Sequence, residues 1–363
     1  MPGAGTRTAI TSVKMAPGRL RGAWSAYRLR WKRRQLIWRA IRAGRRLTPL
    51  ADRTATIARG EILLFATLRN EAARIPEFLD HYRRLGVGHF LIVDNDSDDG
   101  TDRLLRDLPD ISLWRATDSY RDARFGMDWL GALLFRHGHG HWCVTVDADE
   151  MLVYPDCDRR DLSELTAFLD ARGVAGMGAL MLDLYPRAAL GQADAPPGAP
   201  LTHRLPYFDA GPYRCRVQQP RRNRWVQGGV RERVFFAERP RRAPTLNKLP
   251  LIRWRRGFAY VNSTHSMLPP RLNDLYDGPG DARLSGVLLH GKFLPDIVAR
   301  SREELARRQH FADPDAYASY HRALIRAPVL WHRDSVRYQG PQQLVDLRLM
   351  GAAGWQGDPA AEG

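Results

Sequence analysis

Continuous apolar runs alternate with amphipathic segments in the first half of the chain. Apolar runs predict buried strands over 62–68, 90–93, 111–114, 142–146 and 178–184. Between them, apolar residues recur at helical spacing and predict helices over 75–85, around 104–108, and over 122–136 and 161–171. Strands that alternate with helices predict an α/β fold with a mostly parallel sheet flanked by helices.

The pattern becomes less regular after residue 185. Residues 186–200 are rich in Pro, Gly and Ala and predict a loop, and 206–260 predict irregular antiparallel structure. Two helices are expected within 296–326, separated near Pro314. These patterns divide the chain into an N-terminal arm (1–58), one domain with two halves (59–185 and 186–345) and a flexible tail (346–363).

The positive charge of the chain is concentrated near its N-terminus. The chain carries 56 basic and 40 acidic side chains, a net charge of +16. Residues 1–60 contribute fifteen Lys or Arg and one acid, Asp52, so the rest of the chain is nearly neutral. The three cysteines are widely spaced without a CxxC, which predicts a reducing, cytoplasmic location rather than a disulfide framework. No apolar run reaches the roughly 18–20 residues that span a bilayer.

Residues 19–46 combine this positive charge with aromatic side chains. Trp24, Tyr27, Trp31 and Trp38 share one face of a helix, and Arg and Lys fill most of the remaining positions. The pattern predicts an amphipathic helix that lies on an anionic membrane surface, at the inner face of the cytoplasmic membrane. The alternatives are a disordered basic extension and a nucleic-acid-binding segment. Nucleic acid is the least favoured partner, because the body of the chain lacks excess positive charge.

Acidic residues follow two of the predicted strands. Asp94 ends the strand over 90–93, while Asp147 and Asp149 follow the strand over 142–146. Ligands of open α/β sheets bind at the carboxyl ends of the strands. Carboxylates two residues apart suit Mg²⁺ or Mn²⁺, which prefer oxygen ligands and bridge to substrate phosphates. The alternative is that these aspartates only cap the next element.

Three segments together resemble the family 2 glycosyltransferases of the GT-A fold. They are RNEAARIPEFLDHYRRLGVGHFLIVDNDSDDGT (69–101), VDADE (146–150) and LLHGKFL (288–294). The resemblance is to a bacterial branch of that family and covers roughly 61–340. It implies a Rossmann-like half that binds a nucleotide sugar, UDP- or GDP-linked, and a less regular half that binds a saccharide or lipid-linked acceptor. It also implies an inverting transfer in synthesis of cell-envelope polysaccharide or glycolipid.

The resemblance also assigns roles to individual residues. It places Thr67, Arg69, Asp94 and Asn95 at the base and ribose of the donor, and Asn95 stands where many relatives have aspartate. It assigns Asp147 and Asp149 to the diphosphate and its metal.

His290 and Lys292 alternate along LLHGKFL, so both side chains are expected on one face. The imidazole is then predicted as a third metal ligand, and the ammonium as a phosphate ligand. A structural histidine at a strand end is the alternative for His290.

The remaining candidates are weaker. Glu232 is the first choice for the general base that accepts the acceptor proton, and Asp183 is the second; either is alternatively a partner of the many arginines. Arg121 and Arg124 are candidates for the diphosphate, and His265 for the acceptor site. A zinc site at HGHGH (137–141) is disfavoured, because tight zinc sites draw on more than one element.

These observations predict a metal-dependent glycosyltransferase, with two rivals. A sugar-nucleotide nucleotidyltransferase should carry a Gly-rich loop with Lys or Arg after its first strand, but this chain has ATLRNEAAR at 66–74. A non-enzymatic protein that binds membranes or nucleic acid through its basic arm is the second rival.

Overall fold

The structure is a computed structural model that describes residues 17–193, 195–196, 198–307 and 314–355. Its strands are β1 (Thr48–Ala51), β2 (Leu63–Leu68), β3 (His89–Asp94), β4 (Ile111–Arg115), β5 (Trp142–Thr145), β6 (Glu150–Val153), β7 (Gly176–Asp183), β8 (Tyr207–Phe208), β9 (Tyr213–Gln218), β10 (Asn223–Gly228), β11 (Asn247–Arg253), β12 (Ala259–Tyr260), β13 (Met267–Leu268), β14 (Gly286–His290) and β15 (Val336–Arg337). Its α-helices are α1 (Pro17–Ala43), α2 (Ile75–Arg84), α3 (Thr101–Arg106), α4 (Met127–His137), α5 (Leu162–Ala171), α6 (Leu201–Arg204), α7 (Gly229–Phe235), α8 (Ile297–Arg307), α9 (Pro314–Ile325) and α10 (Pro341–Asp346). Short 3₁₀ helices span Thr54–Thr56, Pro240–Arg242, Ser263–His265 and Pro270–Leu275.

A nine-stranded sheet forms the centre of the fold, in the order β1-β4-β3-β2-β5-β11-β7-β14-β6. The pairings make β2, β3, β4, β5, β7 and β14 run in one direction, whereas β1, β11 and β6 run against them. Helices flank the sheet; α4, for instance, packs on β2 and β3. The predicted α/β class with a mostly parallel sheet is therefore confirmed.

The apolar runs become central strands because both of their faces are covered. Leu63, Leu64 and Phe65 of β2 and the β3 residues Phe90 and Ile92 are fully buried. Burying such side chains contributes roughly 1.5–3 kcal/mol each relative to leaving them exposed. The carboxyl ends of β2, β3 and β5 consequently meet at one edge of the sheet.

Strands β6 and β11 of this sheet were not predicted. The antiparallel strand β11 lies between β5 and β7, inside the region predicted to be irregular. Its Pro250 cannot donate a ladder hydrogen bond, and the pairing with β7 shifts register between Lys248 and Leu251. The short strand β6 begins at Glu150, directly after the acidic turn, and pairs with β14.

Helix α4 begins later than the sequence predicts. It starts at Met127 rather than near residue 122. Arg124, Phe125 and Gly126 all have positive φ angles, which a helix does not allow. The predicted helix is therefore confirmed only in its later part.

The N-terminal segment packs on the domain instead of standing apart. Strand β1 pairs with β4, so the sheet begins within the segment predicted as an arm over 1–58. Helix α1 packs on α4 and buries Leu36, Ala40 and Ala43. These apolar side chains and backbone pairings thus anchor residues of the predicted arm to the domain, and residues 1–16 lie outside the described residues.

The predicted tail also packs against the domain over part of its length. Leu349, Met350 and Trp355 are buried, and the Trp355 Nε1 donates to the Pro155 carbonyl at 2.7 Å. Residues 346–355 are therefore not a flexible tail, whereas 356–363 lie outside the described residues. Over the part of the chain that the structure describes, no helix has the length and apolar character needed to cross a bilayer.

Candidate functional site

A cavity of about 580 Å³ opens where the parallel strands end. Thr67 of β2, Asn95 after β3 and the turn 147–149 after β5 line it. His290 at the end of β14 and Lys292 face it from the other half of the chain. The sheet topology thus brings together most of the residues that the motifs single out, at the edge where α/β proteins bind ligands.

Asp149, His290, Asp183 and Arg231 form a continuous chain of ionic contacts. The His290 Nε2 lies 3.2 Å from the Asp149 Oδ2, and its Nδ1 lies 2.5 Å from the Asp183 Oδ1. The Arg231 Nε donates to the other Asp183 oxygen at 2.6 Å. Asp183 therefore orients His290 so that one ring nitrogen faces Asp149.

Electrostatic interactions set the protonation states of His290 and Asp149. Burial alone would lower the pKa of His290, but Asp149 and Asp183 outweigh it and raise that pKa to about 9. Burial would raise the pKa of Asp149, yet contact with His290 holds it well below its usual range. In the absence of a cation, His290 is consequently protonated between two carboxylates.

A second ionic cluster surrounds Lys248, which the sequence analysis did not single out. Its ammonium on β11 is almost completely buried and lies 3.0 Å from the Asp147 Oδ2 and 2.8 Å from the Glu150 Oε1. Burial would lower the pKa of Lys248, but both carboxylates raise it above its ordinary value. The partners come from a strand a hundred residues away, so no local pattern reveals this cluster.

The two clusters decide how a divalent cation fits the site. Lys248 holds Asp147, whereas Asp149 faces His290. Within the described ranges, no three His, Cys, Asp or Glu side chains converge on one metal position. Of the predicted ligands Asp147, Asp149 and His290, the last two contact each other whereas Asp147 pairs with Lys248, and the full ligand set stays a prediction. A carboxylate and an imidazole remain as a donor pair, which fits a cation that takes its other ligands from water and substrate phosphates.

Lys292 differs from the other cations of the cavity. No hydrogen bond or ion pair engages its ammonium among the residues that the structure describes. Burial and nearby Arg231 lower its pKa, whereas Asp149 opposes the shift. An unpaired ammonium beside Asp149 suits a phosphate oxygen.

Thr67, Arg69 and Asn95 line the cavity, in agreement with the prediction that they lie together. The Thr67 hydroxyl is buried without a hydrogen-bond partner. The Arg69 Nη1 donates to the Asn95 carbonyl at 2.7 Å, and the Asn95 amide donates to the Ala116 carbonyl at 2.9 Å. The orphaned hydroxyl is a polar group that a ligand would satisfy.

Five predicted residues do not line the cavity. Asp94 is buried and accepts a hydrogen bond from the Ser97 hydroxyl at 2.5 Å, so it shapes the turn instead. Asp183 lies behind His290. Arg121 is exposed and does not line the cavity.

Arg124 and Glu232 are engaged by other residues. The Arg124 guanidinium pairs with Asp128 at 3.1 Å and donates to the carbonyls of Tyr260 and Val261, so it joins α4 to β12. Glu232 on α7 makes a two-point ion pair with Arg214, at 2.7 Å for both contacts. Asp183 and Glu232 are thus salt-bridge partners of arginines, and the prediction that either is the general base is not supported by its position.

The histidines separate into different environments. His265 lines the cavity, and its Nδ1 lies 2.6 Å from the Asn247 carbonyl. Burial lowers its pKa to about 3, which keeps it neutral. His137 packs near Trp114 and the His141 Nδ1 contacts the Glu61 carbonyl, so HGHGH does not converge on a metal.

Helix α8 is held over the cavity by ion pairs to the start of α2. The Arg74 guanidinium contacts Asp296 and Glu71 at 2.8 Å each, and Arg300 pairs with Glu71. These contacts bring Glu304 of the same helix to the cavity wall. Sequence reasoning missed α8 as part of the site, because its partners lie more than 220 residues away.

Comparisons with known proteins leave the family of the chain open. No family model matches the sequence, and no curated protein matches it. Among solved structures, the chain is similar to a 4-diphosphocytidyl-2C-methyl-D-erythritol synthase, with 15% identity over 40% of this chain and 78% of that one and a TM-score of 0.23. A similarity of that extent defines neither a family nor an activity, and the α/β fold follows from the strand order itself.

Proposed function

We propose that the chain is a metal-dependent glycosyltransferase that moves a sugar from a nucleoside-diphosphate sugar to an acceptor hydroxyl with inversion. The observation that carries the proposal is the Asp149–His290 pair, 3.2 Å apart, in one cavity with Lys292, whose ammonium has no ion-pair partner among the described residues. A departing diphosphate needs its charge neutralised in place, and this arrangement places a cation site and an ammonium together. The motifs at 69–101, 146–150 and 288–294 support the same proposal.

Each residue then has a defined task. Asp149 and His290 would hold Mn²⁺ or Mg²⁺, which would neutralise charge at the diphosphate. Lys292 donates hydrogen bonds to the same phosphates, and Thr67, Arg69 and Asn95 contact the nucleoside.

The reaction is a single displacement at the anomeric carbon. The acceptor oxygen forms the new bond, and the nucleoside diphosphate leaves with the electrons of the broken carbon–oxygen bond. We assign the acceptor proton to the Glu304 carboxylate, because Glu304 lines the cavity on α8, which Arg74 and Arg300 hold in place, and is less exposed than its neighbour Glu303.

Nucleotide binding and product analysis test this proposal. UDP or GDP should raise the melting temperature only with Mn²⁺ or Mg²⁺ present, and Asp149→Ala should abolish that shift. The exposed Asp158→Asn is the matched control and should leave it intact. Release of nucleoside diphosphate from the sugar donor distinguishes a glycosyltransferase from the rival nucleotidyltransferase, which releases pyrophosphate from a nucleoside triphosphate and a sugar phosphate.

We further propose that α1 binds the surface of an anionic phospholipid bilayer. Trp24, Tyr27, Trp31 and Trp38 project from one face of the helix and are 55% to 64% exposed. The opposite face is fixed to the domain through Leu36. The aromatic row is therefore held on the outside of a rigid element, and aromatic side chains favour the headgroup region.

Charge complementarity supports an anionic lipid surface as the partner of α1. Helix α1 carries nine Arg or Lys and no acidic residue. Partial burial lowers the pKa of Lys32. The nearby positive charge of Arg221, in the turn between β9 and β10, lowers this pKa further. The turn of that hairpin thus extends the basic surface beyond the helix. Basic residues beside interfacial aromatics match negatively charged lipid headgroups.

Sedimentation with vesicles tests this surface. The protein should sediment with vesicles of phosphatidylglycerol and phosphatidylcholine but not of phosphatidylcholine alone. Replacing Trp24, Trp31 and Trp38 together by Ser should abolish sedimentation, whereas Leu347→Ser, an exposed apolar control, should not. The proposal would be contradicted if the triple variant sediments as well as the unsubstituted protein. It would also be contradicted if single-stranded DNA displaces the protein from vesicles at a lower concentration than lipid does.

A further inference from the structure

Three hydrogen-bond donors on residues that line the cavity are buried and have no hydrogen-bond partner within the part of the chain that the structure describes. They are the Arg231 Nη2, the Ser301 Oγ and the Tyr320 hydroxyl. Arg231 is 7% exposed and Ser301 is fully buried. Buried donors are nearly always satisfied, and an unsatisfied one costs about 1–3 kcal/mol. Three unsatisfied donors on three different helices therefore indicate that the cavity binds a group with hydrogen-bond acceptors.

Arg231 is fixed with one nitrogen left for a ligand. Its Nε donates to Asp183, whose second oxygen is taken by His290. The guanidinium therefore cannot swing away without breaking the chain that orients His290. Lys292 lines the same cavity, so its wall carries a second cation besides Arg231. Like charges in proximity favour an anion between or beside them.

Tyr320 is fixed through its ring. Phe236 stacks on it with ring centroids 5.7 Å apart, and Phe235 meets it edge-on at 5.1 Å. Burial raises the pKa of the Tyr320 hydroxyl although Arg231 opposes the shift, so the hydroxyl stays protonated at neutral pH. It is therefore an oriented donor close to Arg231.

We propose that Arg231, Ser301 and Tyr320 form a subsite for an anionic group, phosphate or carboxylate, on the acceptor. The assignment of this anionic group to the acceptor rests on the proposed glycosyltransferase function. The donor already has Thr67 and Asn95 for its nucleoside and Lys292 with the Asp149–His290 pair for its diphosphate. Arg231, Ser301 and Tyr320 come from α7, α8 and α9, which the donor groups do not use. A planar guanidinium beside two hydroxyl groups matches the oxygens of a phosphate or carboxylate.

Thermal stabilisation by simple anionic sugars tests the subsite directly. The probes are glucose 1-phosphate and glucuronate, with glucose as the neutral control, each measured with and without UDP or GDP and Mg²⁺. We expect an anionic probe to raise the melting temperature in both conditions, and glucose not to do so. The probe that acts identifies phosphate or carboxylate as the recognised group.

Two variants separate recognition from folding. Tyr320→Phe keeps the ring contacts and should weaken binding of the anionic probe about tenfold. Tyr276→Phe removes a buried, unpartnered hydroxyl away from the cavity and should leave probe binding unchanged. Arg231→Lys should abolish probe binding. If the Arg231→Lys protein does not fold, Tyr320→Phe still tests the subsite.

Three outcomes would overturn the subsite. In the first, neither anionic probe stabilises the protein. In the second, the probe stabilises the Tyr320→Phe protein as much as the unsubstituted protein. In the third, the anionic probe competes with the nucleotide, which would assign these donors to the nucleotide phosphates. Failure of the proposed function has a different signature, since the nucleotides then give no cation-dependent shift while the anionic probe still stabilises the protein.

Discussion

The Asp183 carboxylate accepts a hydrogen bond from the His290 Nδ1 at 2.5 Å, and this contact turns the Nε2 of the ring toward Asp149. The two residues end neighbouring parallel strands, β7 and β14, where they are paired in register. A carboxylate behind a histidine fixes which ring nitrogen faces a cation and increases its basicity. Asp183 is therefore a positioning residue in the proposed site.

Asp183→Asn should weaken binding of the divalent cation about 10- to 100-fold, because the neutral amide neither fixes the ring nor balances its charge. The measurement is the Mn²⁺ concentration at which UDP or GDP gives half of its maximal thermal shift. Asp170→Asn, on a partly exposed carboxylate that pairs with Arg253, is the control. An unchanged Mn²⁺ dependence in Asp183→Asn would remove the positioning role.

The sequence predicts the strands around the site because each is a continuous apolar run. It fails at β11, since Pro250 and the polar residues Asn247 and Lys248 resemble a loop when read along the chain. In the folded sheet those polar side chains have partners, such as Asp147 for Lys248. A buried charge is stable only through a partner, and that partner is remote in sequence.

The residues of the candidate site likewise divide into those that the sequence predicts and those that it does not. Asp149, His290 and Lys292 lie in motifs and at strand ends, so their convergence was predictable from topology. Arg231 and Glu304 lie on helices whose positions depend on long-range ion pairs. Local spacing carries no information about such pairs, which is why the sequence points to Glu232 rather than Glu304 as the general base.

Lys248→Met should destabilise the protein by about 3 kcal/mol at neutral pH. The substitution leaves the buried Glu150 and the partly exposed Asp147 without their shared cation, and breaking a buried ion pair typically costs about 3–5 kcal/mol. Urea unfolding provides the free energy of unfolding. The matched control is Lys292→Met, which removes an unpaired ammonium and should cost far less. Equal losses in the two variants would show that the Lys248 cluster does not contribute to stability.

Glu304→Gln should reduce the rate of sugar transfer about 10²- to 10⁴-fold while leaving the nucleotide-dependent thermal shift unchanged, because the amide cannot accept the acceptor proton. The neighbouring Glu303→Gln provides a control of the same chemistry on the same helix. We expect its transfer rate to remain within a few-fold of the unsubstituted protein. The assignment fails if Glu303→Gln shows the larger loss, or if Glu304→Gln loses nucleotide binding to the same degree as transfer.

His81 should make the free energy of unfolding fall as the pH decreases from about 6.5 to about 4. Its Nε2 donates to the Leu152 carbonyl at 2.8 Å, and burial lowers its pKa to about 4 from the ordinary value of 6.5. The unfolded chain therefore takes up a proton before the folded protein does, and stability that is fully present above pH 6.5 is lost through this range. The exposed His139 is the natural control.

Urea unfolding at pH 7 and pH 4.5 measures this contribution. At one pKa unit per 1.36 kcal/mol, and allowing for the partial exposure of the ring, His81→Gln should lessen the loss of stability between the two pH values by about 2 kcal/mol. His139→Gln should not change that loss. An equal pH dependence in all three proteins would mean that the His81 imidazole is protonated in the folded state, and that its contact with Leu152 does not keep it neutral.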